Sequence, residues 1–529
     1  MADINTRRLP VGIQSFKVIR EENYLYVDKS DIVWNLVNLG QKYNYLSRPR
    51  RFGKSVLVDT LEAYLQGRKN LFEGLKIIEM EKEWKQYPVV RLDMSLAGST
   101  AKAIQSYLSD AFSEYESTYG ITPLPTASLA VRFKNIVTTA FKKTGNKVAI
   151  LIDEYDSPLQ HSWMTAEHND CTDVYRNVFA VLKACDEFEK FVFITGITKF
   201  TQISLFSVLN NLSNISFTPE NAAICGITEE EIKENFMPEI KKMSEANNWS
   251  VEETHDRLKA YYDGYHFCRH NMVDVYNPYS LVNALNSKEI INFWASSGAT
   301  SLLPKFVDNA ELRMKNFENC RIMRNTLEMS DVSGGGAELF LYQSGYLTIK
   351  DSDEFGYILG FPNEEVKQAL YEMVLPALTM RERSDIQSIQ ANLYAQLGTG
   401  QIGDAMKSLK ALIADVPYSN KKLASMDMEE RYRLIISTIM NAIGLSVEVE
   451  KMISTGRIDM TVKTSRYIYV IELKLRNNGG KEAATEQILN RQYMEPFKAD
   501  KRKVIGLGIE LDEEGKGLLD WKRTESFSE

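Results

Sequence analysis

Hydrophobic and polar positions follow two patterns in different parts of the chain. In the first 220 residues, short continuous apolar runs are separated by longer stretches with helical spacing. The runs lie just before Ser47 and at Pro88–Met94, Lys147–Tyr155 and Phe191–Gly196. Such runs are typical of strands buried on both faces of a parallel sheet. The pattern therefore predicts an α/β domain over 1–220, with helices on both faces of the sheet.

The C-terminal segment from Lys421 onward has a different pattern, in which several strands follow one another directly. It predicts one helix, three strands, a second helix and a last strand, in the order αβββαβ. The predicted elements are Glu429–Ile443, Leu445–Met452, Arg457–Val462, Tyr467–Leu475, Lys481–Tyr493 and Lys503–Ile509. We expect residues 421–529 to form a domain of their own.

Helical spacing dominates the region between these two domains. Residues 221–380 read as a mostly helical middle domain with aromatic-rich loops, and Ser333–Gly336 reads as a flexible joint. Amphipathic stretches near 386–397 and 402–414 predict a helical linker over 381–420. The whole chain is thus predicted to be an α/β multidomain protein.

A basic loop within Tyr45–Leu57 joins an apolar run to a helical stretch and ends in Gly-Lys-Ser. This arrangement binds nucleotide phosphates, because backbone N–H groups and the helix N-terminus face the anion. Arg48 stands where the full pattern has its first glycine, so an exposed basic turn is the alternative. We expect Lys54 to reach the β and γ phosphates of ATP and Ser55 to hold Mg²⁺. The candidate ATP-binding residues of the loop are Arg51, Phe52, Gly53, Lys54, Ser55 and Val56.

Acidic and polar residues follow the later strands of the predicted sheet. Asp153 and Glu154 end the run that begins at Lys147, at the edge of the sheet where ligands bind in open α/β folds. There Asp153 is expected to hold Mg²⁺ through water and Glu154 to polarise the attacking water. Thr195 is expected to sense the γ phosphate, with Thr198 and Lys199 near it. Ordinary polar residues at strand ends are the alternative for each.

A second group of candidates lies on the C-terminal strands. Glu472 and Lys474 are two residues apart and so project from one face of their strand. If the preceding strand pairs with it, Asp459 and Glu472 converge on one Mg²⁺, which activates water for phosphodiester cleavage. Lys474 would position that water or stabilise the phosphorus, and Gln487 would orient the lysine or the phosphate. A solvated polar strand face is the alternative. The candidates to complete the metal shell are Glu429, Glu430 and Glu450.

Composition sets limits on partners and location. The 529 residues carry a net charge of −8, so any contact with nucleic acid must be local. The five cysteines are dispersed without a CxxC pair, which suits a reducing compartment. The N-terminal segment lacks an apolar core behind its charges, and no apolar run approaches the length of a membrane span. We expect a soluble, cytoplasmic protein without a membrane partner.

The C-terminal motif resembles the PD-(D/E)XK nuclease superfamily. It comprises Gly456–Asp459, Ile471–Lys474 and Gln487, with Ile458 in the place of the proline. The N-terminal motifs resemble the AAA-ATPase-like domain that often precedes such a nuclease in bacterial proteins. They are Tyr26–Ser30, Arg48–Ser55, Leu151–Asp156 and Thr195–Thr198. The resemblance implies a P-loop NTPase domain that binds ATP, and a restriction-endonuclease-like domain that cleaves nucleic acid with Mg²⁺.

Three functions are compatible with these motifs. The first is a hydrolase, an ATP-regulated and Mg²⁺-dependent nuclease that acts on DNA or RNA. The second is a switch protein of the signal-transducing NTPase kind, whose nuclease-like effector acts only with a protein partner or trigger, for example in defence. The third is a module that grips nucleic acid without cutting it, against which the intact Asp459, Glu472 and Lys474 argue. A homo-oligomer is possible in each case.

Overall fold

The structure is a computed structural model that describes residues 7–122, 126–198, 212–269, 273–294, 317–329, 336–379, 383–414 and 427–525. The described residues form two units, each with most of its contacts internal. The N-terminal unit contains the residues up to Trp294 together with Phe317–Asn363, and the C-terminal unit contains those from Glu364 onward.

A parallel sheet is the centre of the N-terminal unit. Its strands, in the spatial order β2-β3-β4-β1-β5, all pair in parallel. All six residues of β3 are buried, as the continuous apolar run predicted. The parallel α/β architecture of this part of the chain is thus confirmed. The strands are β1 Tyr43–Ser47, β2 Val89–Asp93, β3 Val148–Asp153, β4 Glu189–Gly196 and β5 Ser213–Asn214.

Helices connect these strands and cover the sheet. The helix after the basic loop, α3, packs against β3 and β2, while α5, α6 and α8 pack on one another. Ser128 caps α6 by accepting a hydrogen bond from the Val131 N–H, and Gly145 ends this helix in the left-handed conformation. The helices are α1 Phe16–Glu21, α2 Ser30–Asn38, α3 Lys54–Leu65, α4 Ile77–Met80, α5 Ala101–Thr118, α6 Leu129–Thr144, α7 Ser157–Ser162 and α8 His168–Ala184.

The rest of the N-terminal unit is helical, as predicted, but it also contains short strands that the sequence did not predict. A ribbon pairs β6 with β7, and an antiparallel sheet has the order β8-β10-β9. The strands are β6 Ile227–Thr228, β7 Val275–Tyr276, β8 Cys320–Met323, β9 Thr348–Ser352 and β10 Gly356–Gly360. The helices are α9 Glu229–Asn235, α10 Met237–Asn247, α11 Val251–Tyr262, α12 Pro278–Ser287, α13 Arg324–Met329 and α14 Gly336–Ser344.

The C-terminal unit is built on a mixed sheet with the order β11-β12-β13-β14-β15. The strands pair antiparallel except β13 and β14, which are parallel because α19 connects them. The predicted order αβββαβ is correct but lacks β15, a largely polar edge strand. The strands are β11 Ser446–Ile453, β12 Gly456–Lys463, β13 Tyr467–Leu475, β14 Lys503–Leu511 and β15 Leu518–Glu525. The helices are α15 Glu364–Thr379, α16 Arg383–Thr399, α17 Ile402–Ala414, α18 Met428–Ala442 and α19 Gly480–Asn490.

The two units divide the chain differently from the four predicted segments. The predicted linker over 381–420 contains α16 and α17, whose buried residues Leu393, Leu409 and Leu412 share one apolar core with the mixed sheet. Helix spacing alone did not show that these faces pack against strands far along the chain. Of the predicted joint Ser333–Gly336, residues 333–335 lie outside the described residues.

Candidate nucleotide-binding and nuclease sites

The basic loop lies between β1 and α3, as a phosphate-binding loop requires. Gly53 precedes the helix with a φ of +86°, a left-handed conformation that a side chain would strain. No side chain caps the first turn of α3, which begins at Lys54. The N–H groups of that turn therefore face outward at the positive end of the helix dipole, where an anion is favoured.

Arg48, which replaces the first glycine of the phosphate-loop pattern, is a buried structural residue. Its guanidinium donates to the backbone carbonyls of Ser47, Ser216 and Asn221 at 2.8–2.9 Å. It also lies over the ring of Phe267, 4.1 Å from the centroid. Arg48 therefore ties the start of the loop to the segment that follows the sheet, a role that its position in the motif did not reveal.

A cavity of about 510 Å³ opens over the loop and α3. This volume is typical of a small-molecule site. Its floor is formed by residues 50–57, and the other walls come from residues 10–14, 224–227 and 278–283. Tyr279 lines the cavity, and the Arg51 guanidinium lies 4.8 Å from the centroid of its ring. The predicted loop residues thus meet in one cavity with walls that sequence analysis missed, because those segments lie far away in the chain.

Lys54 and Glu154 both line this cavity, and Asp153 precedes Glu154 at the end of β3. The Lys54 Nζ lies 3.4 Å from Glu154 Oε1 and donates to the Pro49 carbonyl at 3.2 Å. Glu154 has a φ of +46°, uncommon for a residue other than glycine. Burial, followed by the Glu154 carboxylate, raises the pKa of Asp153 to about 6, although Lys54 and a hydrogen bond from Ser55 oppose the shift. The predicted magnesium ligands Ser55 and Asp153 are therefore in contact.

The Thr195 hydroxyl does not point toward the predicted phosphate site. Its fully buried hydroxyl donates to the Leu46 carbonyl at 2.8 Å, within the pairing of β4 with β1. Thr195 does not line the cavity, because its hydroxyl turns toward the neighbouring strand. The expectation that this hydroxyl senses the γ phosphate does not fit this geometry. The Thr198 hydroxyl donates to the buried Asp156 carboxylate at 2.6 Å, and Lys199 lies outside the described residues.

In the C-terminal unit, Asp459 and Glu472 face each other across β12 and β13. The ladder between these strands reaches Met460 and Ile471, so the two acids occupy the next opposing positions. The Asp459 N–H donates to Glu472 Oε2 at 3.5 Å, and the Leu473 N–H donates to Asp459 Oδ2 at 3.0 Å. Burial and the Asp459 carboxylate raise the pKa of Glu472 well above its ordinary value. A proton on Glu472 or a nearby cation relieves the repulsion between the two carboxylates.

Three further predicted residues surround Glu472. The Lys474 Nζ lies 3.8 Å from Glu472 Oε1 and 3.7 Å from Glu429 Oε2. The Gln487 amide donates to Glu472 Oε1, and also to the Tyr493 hydroxyl at 3.3 Å. Glu429 is held by the Leu475 N–H at 3.1 Å. The structure thus brings Lys474, Gln487 and Glu429 to the acidic pair, and for Lys474 strand alternation had indicated this.

Arg433 was missed by sequence analysis and lies in the same group. It follows Glu429 by one turn of α18, and its guanidinium lies 3.2 Å from Asp459 Oδ1 and 3.1 Å from Glu450 Oε1. Glu450 lies on β11 opposite Asp459, between the pairs Val449–Met460 and Lys451–Ile458. The four-residue spacing of Glu429 and Arg433 was visible in the sequence, but the register that sets Glu450 opposite Asp459 was not.

Comparisons with known proteins match a different family to each of the two parts of the chain that contain these residues. The model of a predicted AAA-ATPase family matches residues 10–206, and the model of a PD-(D/E)XK nuclease superfamily family matches residues 427–521. A protein described as uncharacterized, from the vnfD 5' region of Azotobacter chroococcum mcd 1, is 30% identical over 534 residues and 98% of each chain. The chain belongs to this AAA-ATPase-like family with a PD-(D/E)XK nuclease domain.

One solved structure in the comparisons is the crystal structure of Cdc6p from Pyrobaculum aerophilum. It is 12% identical, with a TM-score of 0.21, and the similarity covers 71% of this chain and 97% of that one. The AAA-ATPase-like domain of the present chain contains the loop and the Asp153–Glu154 pair, while part of the cavity wall comes from later residues, 224–227 and 278–283. The PD-(D/E)XK domain contains the Asp459–Glu472 pair.

The donor set of the PD-(D/E)XK domain fits a divalent cation. Mg²⁺ is usually bound by one or two carboxylates, with water or phosphate as the remaining ligands, and Asp459 and Glu472 supply two carboxylates. Among the described residues, no group of three His, Cys, Asp or Glu side chains is arranged to hold a metal ion.

In the described parts of the chain, no helix combines the length and the apolar character that crossing a membrane requires.

Proposed function

We propose that the protein is a Mg²⁺-dependent nuclease that cleaves phosphodiester bonds in nucleic acid and is regulated by ATP. The observation that carries this proposal is the facing pair Asp459 and Glu472, with Lys474 beside it. A nuclease fold that only binds nucleic acid has no need for a buried glutamate that faces a half-buried aspartate, since the repulsion between their carboxylates lowers stability.

Each side chain of the PD-(D/E)XK domain has a distinct role in this proposal. Asp459 and Glu472 bind the ion, which when bound lowers the pKa of water and offsets charge on the phosphate. The Lys474 ammonium, on the same strand face, orients the attacking water and attracts the scissile phosphate. Gln487 keeps the Glu472 carboxylate in position through its hydrogen bond, as an outer partner of a metal ligand does. Glu429 holds Lys474 near the acids.

The cavity of the AAA-ATPase-like domain is proposed to bind ATP. The N–H groups of the loop and the Lys54 ammonium bind the phosphates. Ser55 and Asp153 are placed to hold Mg²⁺, and Glu154 to orient water for hydrolysis. To reach the phosphates, the Lys54 amine must leave Glu154, and that exchange frees the carboxylate. Nucleotide binding therefore changes the pairing of two charged groups, which is the kind of local event that can regulate a distant activity.

A partner-dependent switch protein is the second candidate. The ion pair between Lys54 and Glu154 favours it, because this pairing withholds the lysine from phosphate and the glutamate from water. In that case the purified protein would be inactive with ATP alone and would cleave only after a partner or trigger is added.

The direct test is cleavage of labelled DNA and RNA after addition of Mg²⁺, with and without ATP. Wild type is compared with Lys54→Ala and Glu472→Ala. We expect Glu472→Ala to abolish cleavage under every condition, and Lys54→Ala to remove only the response to ATP. Equal cleavage by wild type and Glu472→Ala would show that the activity arises elsewhere or from a contaminant.

A further inference from the structure

Arg433 is held between two carboxylates of the proposed metal site. One guanidinium nitrogen lies 3.2 Å from Asp459 Oδ1 and the other lies 3.1 Å from Glu450 Oε1. The side chain is only 15% exposed. Charge-assisted bonds of a shielded arginine are stronger than those of surface pairs. The side chain is therefore a built part of the site rather than a mobile surface group.

The register of β11 and β12 serves this contact. Val449 lies opposite Met460 and Lys451 lies opposite Ile458, so Glu450 and Asp459 occupy the facing positions between these two pairs. The φ of Glu450, +51°, is uncommon outside glycine and is a sign of local strain. The Glu450 carboxylate contacts both Arg433 and Arg457.

The guanidinium contacts an oxygen of one proposed metal ligand, Asp459. Arginine stays charged at any physiological pH, so it supplies a permanent positive charge to Asp459. It also separates the Asp459 carboxylate from that of Glu450. A divalent cation that takes Asp459 Oδ1 as a ligand must compete with the guanidinium for that oxygen, or move it.

We propose that Arg433 is an internal counter-cation, a positioning residue that must release Asp459 before a divalent cation binds, and that thereby sets the metal affinity of the site. This inference rests on the proposed function, because it takes Asp459 as a metal ligand. In the metal-free protein the Arg433 charge offsets those of Asp459 and Glu450. When the ion arrives, its charge replaces that of the guanidinium, so the site is never left with uncompensated carboxylates.

The test is the affinity for Ca²⁺, a probe used without substrate, measured by calorimetry on the full chain. Arg433→Met keeps much of the stem but removes the charge. We expect it to bind Ca²⁺ about tenfold or more tightly than wild type, since a positive charge a few ångströms from the ion is lost. Arg457→Met is the matched control. Arg457 forms an ion pair with Glu450 rather than with Asp459, and its side chain is 55% exposed. We expect this control to change the affinity less than about twofold.

Unchanged or weaker Ca²⁺ binding by folded Arg433→Met would overturn the inference. If that variant does not fold, Ca²⁺ is titrated into Arg433→Gln instead, with the same criterion. The neutral glutamine amide can donate fewer hydrogen bonds to Asp459 and Glu450 than the guanidinium does. Asp459→Asn distinguishes an error in the metal-site assignment from an error in the role of Arg433. If it binds Ca²⁺ as wild type does, the metal site itself is misassigned. If it loses binding while Arg433→Met shows no gain, only the role of Arg433 is wrong.

Discussion

Each unit places carboxylates beside a lysine, but the surroundings differ in charge. In the AAA-ATPase-like domain, Lys54 lies at the N-terminus of a helix, and the outward N–H groups add positive potential. In the PD-(D/E)XK domain, Lys474 lies between Glu472 and Glu429, and a third carboxylate, Asp459, faces Glu472. We therefore expect the first site to bind an anion and the second a cation. The expected ligands differ because a helix N-terminus adjoins one lysine and three carboxylates adjoin the other.

The largest effect should come from removing a carboxylate of the cation site. We expect Asp459→Asn to lower Mg²⁺-dependent cleavage by about 1,000-fold or more, because a bound metal ion supplies several kcal/mol to the transition state. Nucleotide affinity should stay the same. Rates come from single-turnover cleavage, and nucleotide binding from fluorescence titration. A parallel loss of nucleotide affinity would mean that the two sites are not independent.

The next largest effect should come from the anion site. Lys54→Ala is expected to weaken nucleotide binding by about 10- to 100-fold, the value of a lost hydrogen bond between charged groups. Lys69→Ala, which changes an exposed lysine of the same domain, is the matched control and should bind like wild type. If cleavage without ATP falls in Lys54→Ala, the contrast between the sites does not hold.

A stability measurement tests whether Glu472 and Glu448, on the same sheet, lie in opposite electrostatic environments. The two substitutions should change the free energy of unfolding in opposite directions. The folded pKa of Glu472 is raised from its ordinary value of 4.5, so the wild type loses stability as pH rises from about 4.5 to the folded value. Glu472→Gln removes this loss. Without metal, we expect it to be more stable than wild type by about 1 kcal/mol or more at pH 8, and no more stable below pH 4. Urea unfolding at several pH values measures this.

Glu448 is the matched control on the same sheet. Hydrogen bonds and charges from Lys451 and Lys463 outweigh burial and lower the pKa of Glu448 to about 2. Its side chain is 41% exposed, so Glu448→Gln should destabilise the protein by less than about 1 kcal/mol at neutral pH. The same sign for both variants would refute the assignment of opposite electrostatic environments.

The smallest effect concerns Thr195. Because its hydroxyl bonds to the Leu46 carbonyl within the sheet, we expect Thr195→Val to change nucleotide affinity less than about twofold while lowering stability by about 1 kcal/mol. Titration and thermal unfolding of the same sample check both values. A tenfold loss of affinity with full stability would restore Thr195 as a phosphate contact.

Most of the candidate site residues could be predicted from the sequence because local rules govern their positions. Glu472 and Lys474 share a face by strand alternation, and Lys54 follows a loop that must precede a helix. The cavity wall at Tyr279 and the contact of Arg433 with Glu450 depend instead on packing between distant segments, which no local pattern records. Thr195 shows a further limit: a residue at the expected end of a strand can still turn its hydroxyl to a neighbouring strand.

The central claim is that Asp459 and Glu472 share one divalent cation. Diffraction from crystals soaked in Mn²⁺, at a wavelength where manganese scatters anomalously, tests it without relying on activity. We predict one anomalous peak within coordination distance of both carboxylates, which disappears in Asp459→Asn. A peak that contacts neither acid, or no peak at a Mn²⁺ concentration that supports cleavage, would contradict the account.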